Sequence, residues 1–149
     1  MKSNAGPIAQ HSSFELVRPE QQTTAFVFSS PHSGRQYPAE FLAASRLDSL
    51  SLRKSEDSFV DHLFEGMPAF GAPLLSALFP RAYLDLNREP YELDPELVDD
   101  PLPAHANTQS VRVAGGLGTV ARVVADGEEI YADRLSLKTV MDRIERLYF

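Results

Sequence analysis

A histidine, a group of carboxylates and a run of arginines stand out here as residues able to do chemistry. The histidine is His32, in Ser30-Pro31-His32-Ser33-Gly34-Arg35. The carboxylates are Glu56, Asp57 and Asp61, in Glu56-Asp57-x-x-x-Asp61. The arginines fall in Arg81-x-Tyr83-x-Asp85-Leu86-Asn87-Arg88. A neutral imidazole is a good zinc ligand, and a catalytic zinc takes three protein ligands and keeps one position open. Guanidinium groups bind carboxylates through two parallel hydrogen bonds. Each feature also has an ordinary account. A turn histidine bonds to nearby backbone. A carboxylate in the first turn of a helix complements its dipole. Asp61, one turn past Asp57, either orients His32 or is a surface acid. The arginines can simply pair with Asp85 or Glu89.

The elements that must position these groups follow from local pattern. Ala25 to Ser30 is an apolar run that reads as a buried strand, stopped by Pro31, which cannot continue a central sheet. Gly34 permits a tight bend, so His32 is presented on a loop at the C-terminal end of that strand, where ligands gather in open α/β sheets. Pro38 opens a helix with Phe41, Leu42 and Leu47 on one side. Ser55 is placed to cap a helix from Glu56 to Glu65, with Phe59, Val60, Leu63 and Phe64 as its stripe. A short strand is expected near Phe14–Val17, another from Pro73 to Phe79, and a third over Arg81–Asn87. In that third strand Arg81, Tyr83, Asp85 and Asn87 share one face. The acidic, proline-rich stretch from Glu89 to Pro103 reads as a loop without a core of its own. Val111–Ala114 and Thr119–Ala125 read as short strands, and Asp126-Gly127 as a hairpin turn. Leu137, Val140, Met141, Ile144, Leu147 and Tyr148 give a strong final helix. That helix shows no terminator, so the chain is expected to be cut inside or just after it.

Composition narrows the function classes. A chain of 149 residues with 43% apolar and 23% charged residues suits one soluble domain over residues 1–149. The net charge of −7 argues against a nucleic-acid partner. There is no cysteine, hence no disulfide, thiolate metal site or cysteine nucleophile. The first ten residues lack the apolar stretch of a signal peptide, and no run reaches membrane-spanning length. Gly115-Gly116-Leu117-Gly118 lacks the Lys-Ser/Thr ending of a phosphate loop. Ser29, Ser30 and Ser33 are not on a Gly-x-Ser-x-Gly elbow.

Taken in order, Pro31-His32-Ser33-Gly34, Glu56-Asp57 with Asp61, Arg81 to Arg88, Arg112 before Gly116-Leu117-Gly118, and Ile130-Tyr131 resemble the N-formylglutamate amidohydrolase family. The resemblance implies a three-layer αβα fold with a mixed sheet, akin to zinc carboxypeptidases and aspartoacylases. It implies one zinc ion held by His32 and Asp57, with Glu56 as the fallback ligand and Asp61 as a supporting residue. Arg81, Asn87 and Arg88 would bind the substrate, a small N-acyl amino acid, with Arg88 favoured over Arg81. The implied reaction is cytoplasmic deformylation of N-formyl-L-glutamate to formate and glutamate, at the end of histidine breakdown. The resemblance covers the N-terminal half of the family's domain. A third ligand, in an Asp-x-His-Ser type motif, and the general base would come from the other half. Of His11, His32, His62 and His105, only His32 sits in a matching motif. The rival expectation is a non-catalytic remnant, or half of a split enzyme that self-associates or needs a complementing chain.

Overall fold

The computed structural model describes residues 12–149; His11 and the ten residues before it lie outside the described residues. Three short strands form one mixed sheet: β1 (Phe14–Val17), β2 (Phe28–Ser30) and β3 (Leu74–Ala77), in the order β1-β3-β2. β1 runs antiparallel to β3 and β2 parallel to it, with Leu16 opposite Leu75 and Ser30 opposite Ser76. β2 is shorter than the Ala25–Ser30 run because its ladder begins only where Phe28 meets Leu74. Phe26 and Val27 are left exposed ahead of that first rung.

Between β2 and β3 lie three short helices, α1 (Ala39–Ala44), α2 (Ser49–Leu52) and α3 (Val60–Leu63). Pro38 caps α1 and Phe41 is its fully buried anchor. Asp48 caps α2, accepting from the Ser51 N–H at 2.7 Å. The expected long helix from Glu56 is reduced to α3. Phe59 takes a left-handed φ of 64° ahead of it, and the Asp57 N–H is drawn to the His32 carbonyl at 3.1 Å.

Arg81–Asn87 is not a strand. Pro80 starts a helical turn, its carbonyl accepting from the N–H groups of Tyr83 and Leu84 at 2.9 and 3.3 Å. Neighbours of both parities are therefore buried, Tyr83, Leu84 and Asp85 alike. Val111–Ala114 is likewise a one-turn helix, α4, capped by Ser110 Oγ. Thr119–Ala125 forms no strand. The chain does reverse at Asp126-Gly127, both at positive φ, 65° and 72°, the type I′ pattern. The acidic stretch after Glu89 is irregular yet not coreless. Leu93, Leu97 and Val98 are buried, and Val98 bridges to Leu135.

The last helix, α5 (Leu137–Leu147), starts at Ser136, whose hydroxyl accepts from the Thr139 N–H. Val140 and Ile144 pack into a core with Phe41, Leu52, Tyr83, Leu84 and Ile130. Its apolar face is thus covered by this chain itself. Among the described residues no helix is long and apolar enough to cross a membrane.

Candidate active site

His32 follows β2 directly and is nearly buried, 7% exposed. The loop carrying it presses against the end of β3. A Cβ on Gly34 would lie 2.1 Å from the Phe79 carbonyl oxygen, so only glycine allows this approach. The Gln36 N–H donates to the Leu78 carbonyl at 2.8 Å and fixes the loop beyond.

The two ring nitrogens of His32 meet two carboxylates. Nε2 lies 2.7 Å from Asp85 Oδ1 and Nδ1 lies 3.4 Å from Asp57 Oδ2. Asp85 is buried, which opposes its charge. Hydrogen bonds from His32 and the Asn87 N–H, with Arg81 beside it, outweigh burial and hold its carboxyl well below the usual range. An ionised carboxylate only accepts, so Nε2 carries the ring proton. Nδ1 then turns a lone pair toward another carboxylate. Asp57 is half exposed and has Arg81 at 3.7 Å, and a metal ion is a further cation that a lone pair and a carboxylate can share.

Two donors bound to one zinc ion at a tetrahedral angle lie about 3.3 Å apart. The Nδ1–Oδ2 separation of 3.4 Å matches that edge. One imidazole and one carboxylate also form a donor set that zinc accepts. Among the described residues no group of three or more His, Cys, Asp and Glu is disposed to hold a metal. Glu56 is engaged elsewhere: Tyr37 Oη donates to it at 2.7 Å, and Arg53 and Ser58 also bond it. Asp61 pairs with Arg35 at 2.8 Å; the carboxylate on His32 is Asp85. His62 lies beside Arg35 and Glu65, and His105 stands edge-on to the Tyr91 ring.

Arg81 lines an open cleft of about 400 Å³ together with Lys54, Glu56, Asp57, Asp85 and Leu117. Its guanidinium reaches Asp85 at 3.0 Å and Asp57 at 3.7 Å. Arg88 is placed differently. Its side chain is buried, donating to the Leu117 carbonyl at 3.0 Å and the Asn87 carbonyl at 2.7 Å, with Asp85 at 3.4 Å. Arg88 thereby braces Asp85 against the turn at Gly115–Gly118. Gly118 has its own close approach, since a Cβ there would sit 2.4 Å from the Glu92 carbonyl oxygen. Asn87 is exposed, and Arg112 is exposed on α4.

This order of residues has a counterpart among known proteins. The sequence model for N-formylglutamate amidohydrolase matches residues 24–149. The chain belongs to the N-formylglutamate amidohydrolase family. A solved structure of N-formylglutamate amidohydrolase from Ralstonia eutropha JMP134 superposes with a TM-score of 0.83 at 36% identity. The similarity covers 91% of this chain and 48% of that one, so this chain spans about half of its relative's length. No curated protein matches.

Within this family member, Asp85 is a site residue that the motif pattern alone does not single out. It was visible only as an ion-pair partner for the arginines. Its charged setting between Arg81 and Arg88 was the available signal, but its contact with a histidine 53 residues away was not.

Proposed function

We propose that this chain carries the His32 part of a zinc-dependent centre that hydrolyses the formyl amide of N-formyl-L-glutamate, giving formate and glutamate. The observation that carries the reading is the His32 Nδ1–Asp57 Oδ2 pair, with Nε2 held by Asp85. His32 and Asp57 would hold the ion. A bound zinc ion supplies Lewis acidity toward an amide carbonyl and makes a water acidic enough to attack it. Asp85 keeps the His32 proton on Nε2 and fixes the ring. Arg81 offers its fork to a substrate carboxylate from the cleft wall, with Asn87 and Arg88 supporting it from the same turn. Much of the rate then comes from orientation. The three-stranded sheet belongs, on this reading, to a three-layer αβα fold like that of zinc carboxypeptidases and aspartoacylases. The reaction would serve histidine breakdown in the cytoplasm.

Two ligands among the described residues, and a relative twice as long, favour a second reading alongside the first. On this second reading the third ligand and general base would come from a complementing chain or from the rest of a longer domain. Zinc titration of the purified chain, with an assay of formate release, tests both readings. Weak zinc binding, abolished in Asp57→Asn, with little turnover is the expected result. Tight stoichiometric binding with full turnover would show that the centre is already complete. Binding unchanged by Asp57→Asn would overturn the ligand assignment.

A further inference from the structure

Resting on that reading, we propose that Lys54 is the specificity residue for the substrate's side-chain carboxylate, and that Glu128 competes with that carboxylate for it. The cleft is lined by four acids, Glu56, Asp57, Asp85 and Asp126, and by two cations, Lys54 and Arg81. A substrate with two carboxylates needs two positive contacts against that acidic wall. Arg81 is held toward the His32 end by Asp85 and Asp57.

Lys54 is built differently. It stands on the 3-10 turn Arg53–Ser55, and among the described residues its ammonium has one ion-pair partner, Glu128 Oε1 at 2.9 Å. Both side chains are more than a third exposed, so solvent weakens the pair, while Glu128 Oε2 is buried without a hydrogen-bond partner. An ammonium carries three donors on a flexible stem, which lets it move from one carboxylate to another. Glu128 directly follows Asp126 and Gly127, which line the cleft. The Lys54–Glu128 bond therefore ties a cleft-lining lysine to the residue just past the cleft-lining turn, and a substrate carboxylate can take Glu128's place. A ligand with a neutral amide in that position competes poorly with an ionised Glu128.

Calorimetric titration with N-formylglutamate and with N-formylglutamine tests this on the wild-type chain, Lys54→Gln, Lys54→Arg and Glu128→Gln. Wild type should prefer N-formylglutamate. The affinity ratio should fall about ten- to hundred-fold in Lys54→Gln, the size of one lost charge-assisted hydrogen bond. Lys54→Arg should keep most of the ratio, and Glu128→Gln should raise it. Thermal melts check that the variants are folded. A Lys54→Gln ratio equal to wild type, in a chain that does prefer N-formylglutamate, overturns this inference alone. A wild-type chain that binds neither compound overturns the proposed function and this inference with it.

Discussion

Helices α3 and α5 both carry apolar residues, yet one is left bare and the other is covered. On α5, Val140 and Ile144 are at most 1% exposed, under Phe41, Tyr83 and Tyr131. Around α3, Leu63 is 76% and Phe59 57% exposed. The sheet repeats the contrast. Leu74 is buried on one face, while Leu16 and Leu75, paired in register on the other, stay exposed. Closure on the α5 side is also polar. Arg143 is buried against the Tyr83 ring at 3.9 Å and donates to the Tyr83 carbonyl and Tyr131 Oη. That grip holds the turn that delivers Asp85 to His32. The chain thus completes the side that positions its site, and leaves apolar surface on the side of α3 and the outer sheet face.

The largest break in this contrast should come from Asp85→Ala. It strands His32, Arg81 and Arg88 around a buried gap, at a cost of about 3–5 kcal/mol in chemical denaturation. Ile144→Ala should cost about 2–5 kcal/mol by the same measurement, since it opens a cavity in the closed core. A smaller effect should follow pH. Burial raises the Tyr131 pKa, against the opposing influence of Arg143. A folded-state value above the unfolded one, near 10, keeps its stabilisation intact below about pH 10. That stabilisation is lost as pH rises further. Tyr131→Phe should therefore flatten the alkaline limb of a melting-temperature profile; an unchanged limb would remove this residue from the account. The smallest effect should be Leu63→Ser, within about 0.5 kcal/mol in stability because its side chain is already in water. Light scattering should nevertheless show less self-association for Leu63→Ser combined with Phe70→Ser. A large loss of stability there would mean that the α3 side is covered after all.

Several elements are legible in the sequence alone. Phe14–Val17, the end of the Ala25–Ser30 run, Pro38 at a helix start, the reversal at Asp126-Gly127 and the final helix each rest on signals within a few residues. The misread elements are instructive. Arg81–Asn87 alternates like a strand, but the alternation is short, and the helical turn started by Pro80 buries both parities. Val111–Ala114 is β-branched at two positions, yet Ser110 in front and Gly115 behind suit a one-turn helix. Leu93, Leu97 and Val98 lie in an acidic, proline-rich stretch whose average composition concealed three core residues.

By itself the sequence determined which groups are available: one histidine on a turn after a strand, acids beyond it, and arginines ahead of a glycine-rich turn. It also determined where backbone must approach backbone, because Gly34 and Gly118 stand where a side chain would collide. Only the tertiary structure decided how the charges pair. Asp85, not Asp61, meets His32; Arg88 is consumed inside the chain while Arg81 faces the cleft; and Lys54 reaches Glu128 across it. The physical reason is range. Turn chemistry and helical periodicity act over a few residues. An ion pair between residues 53 or 74 positions apart depends on how the whole core packs.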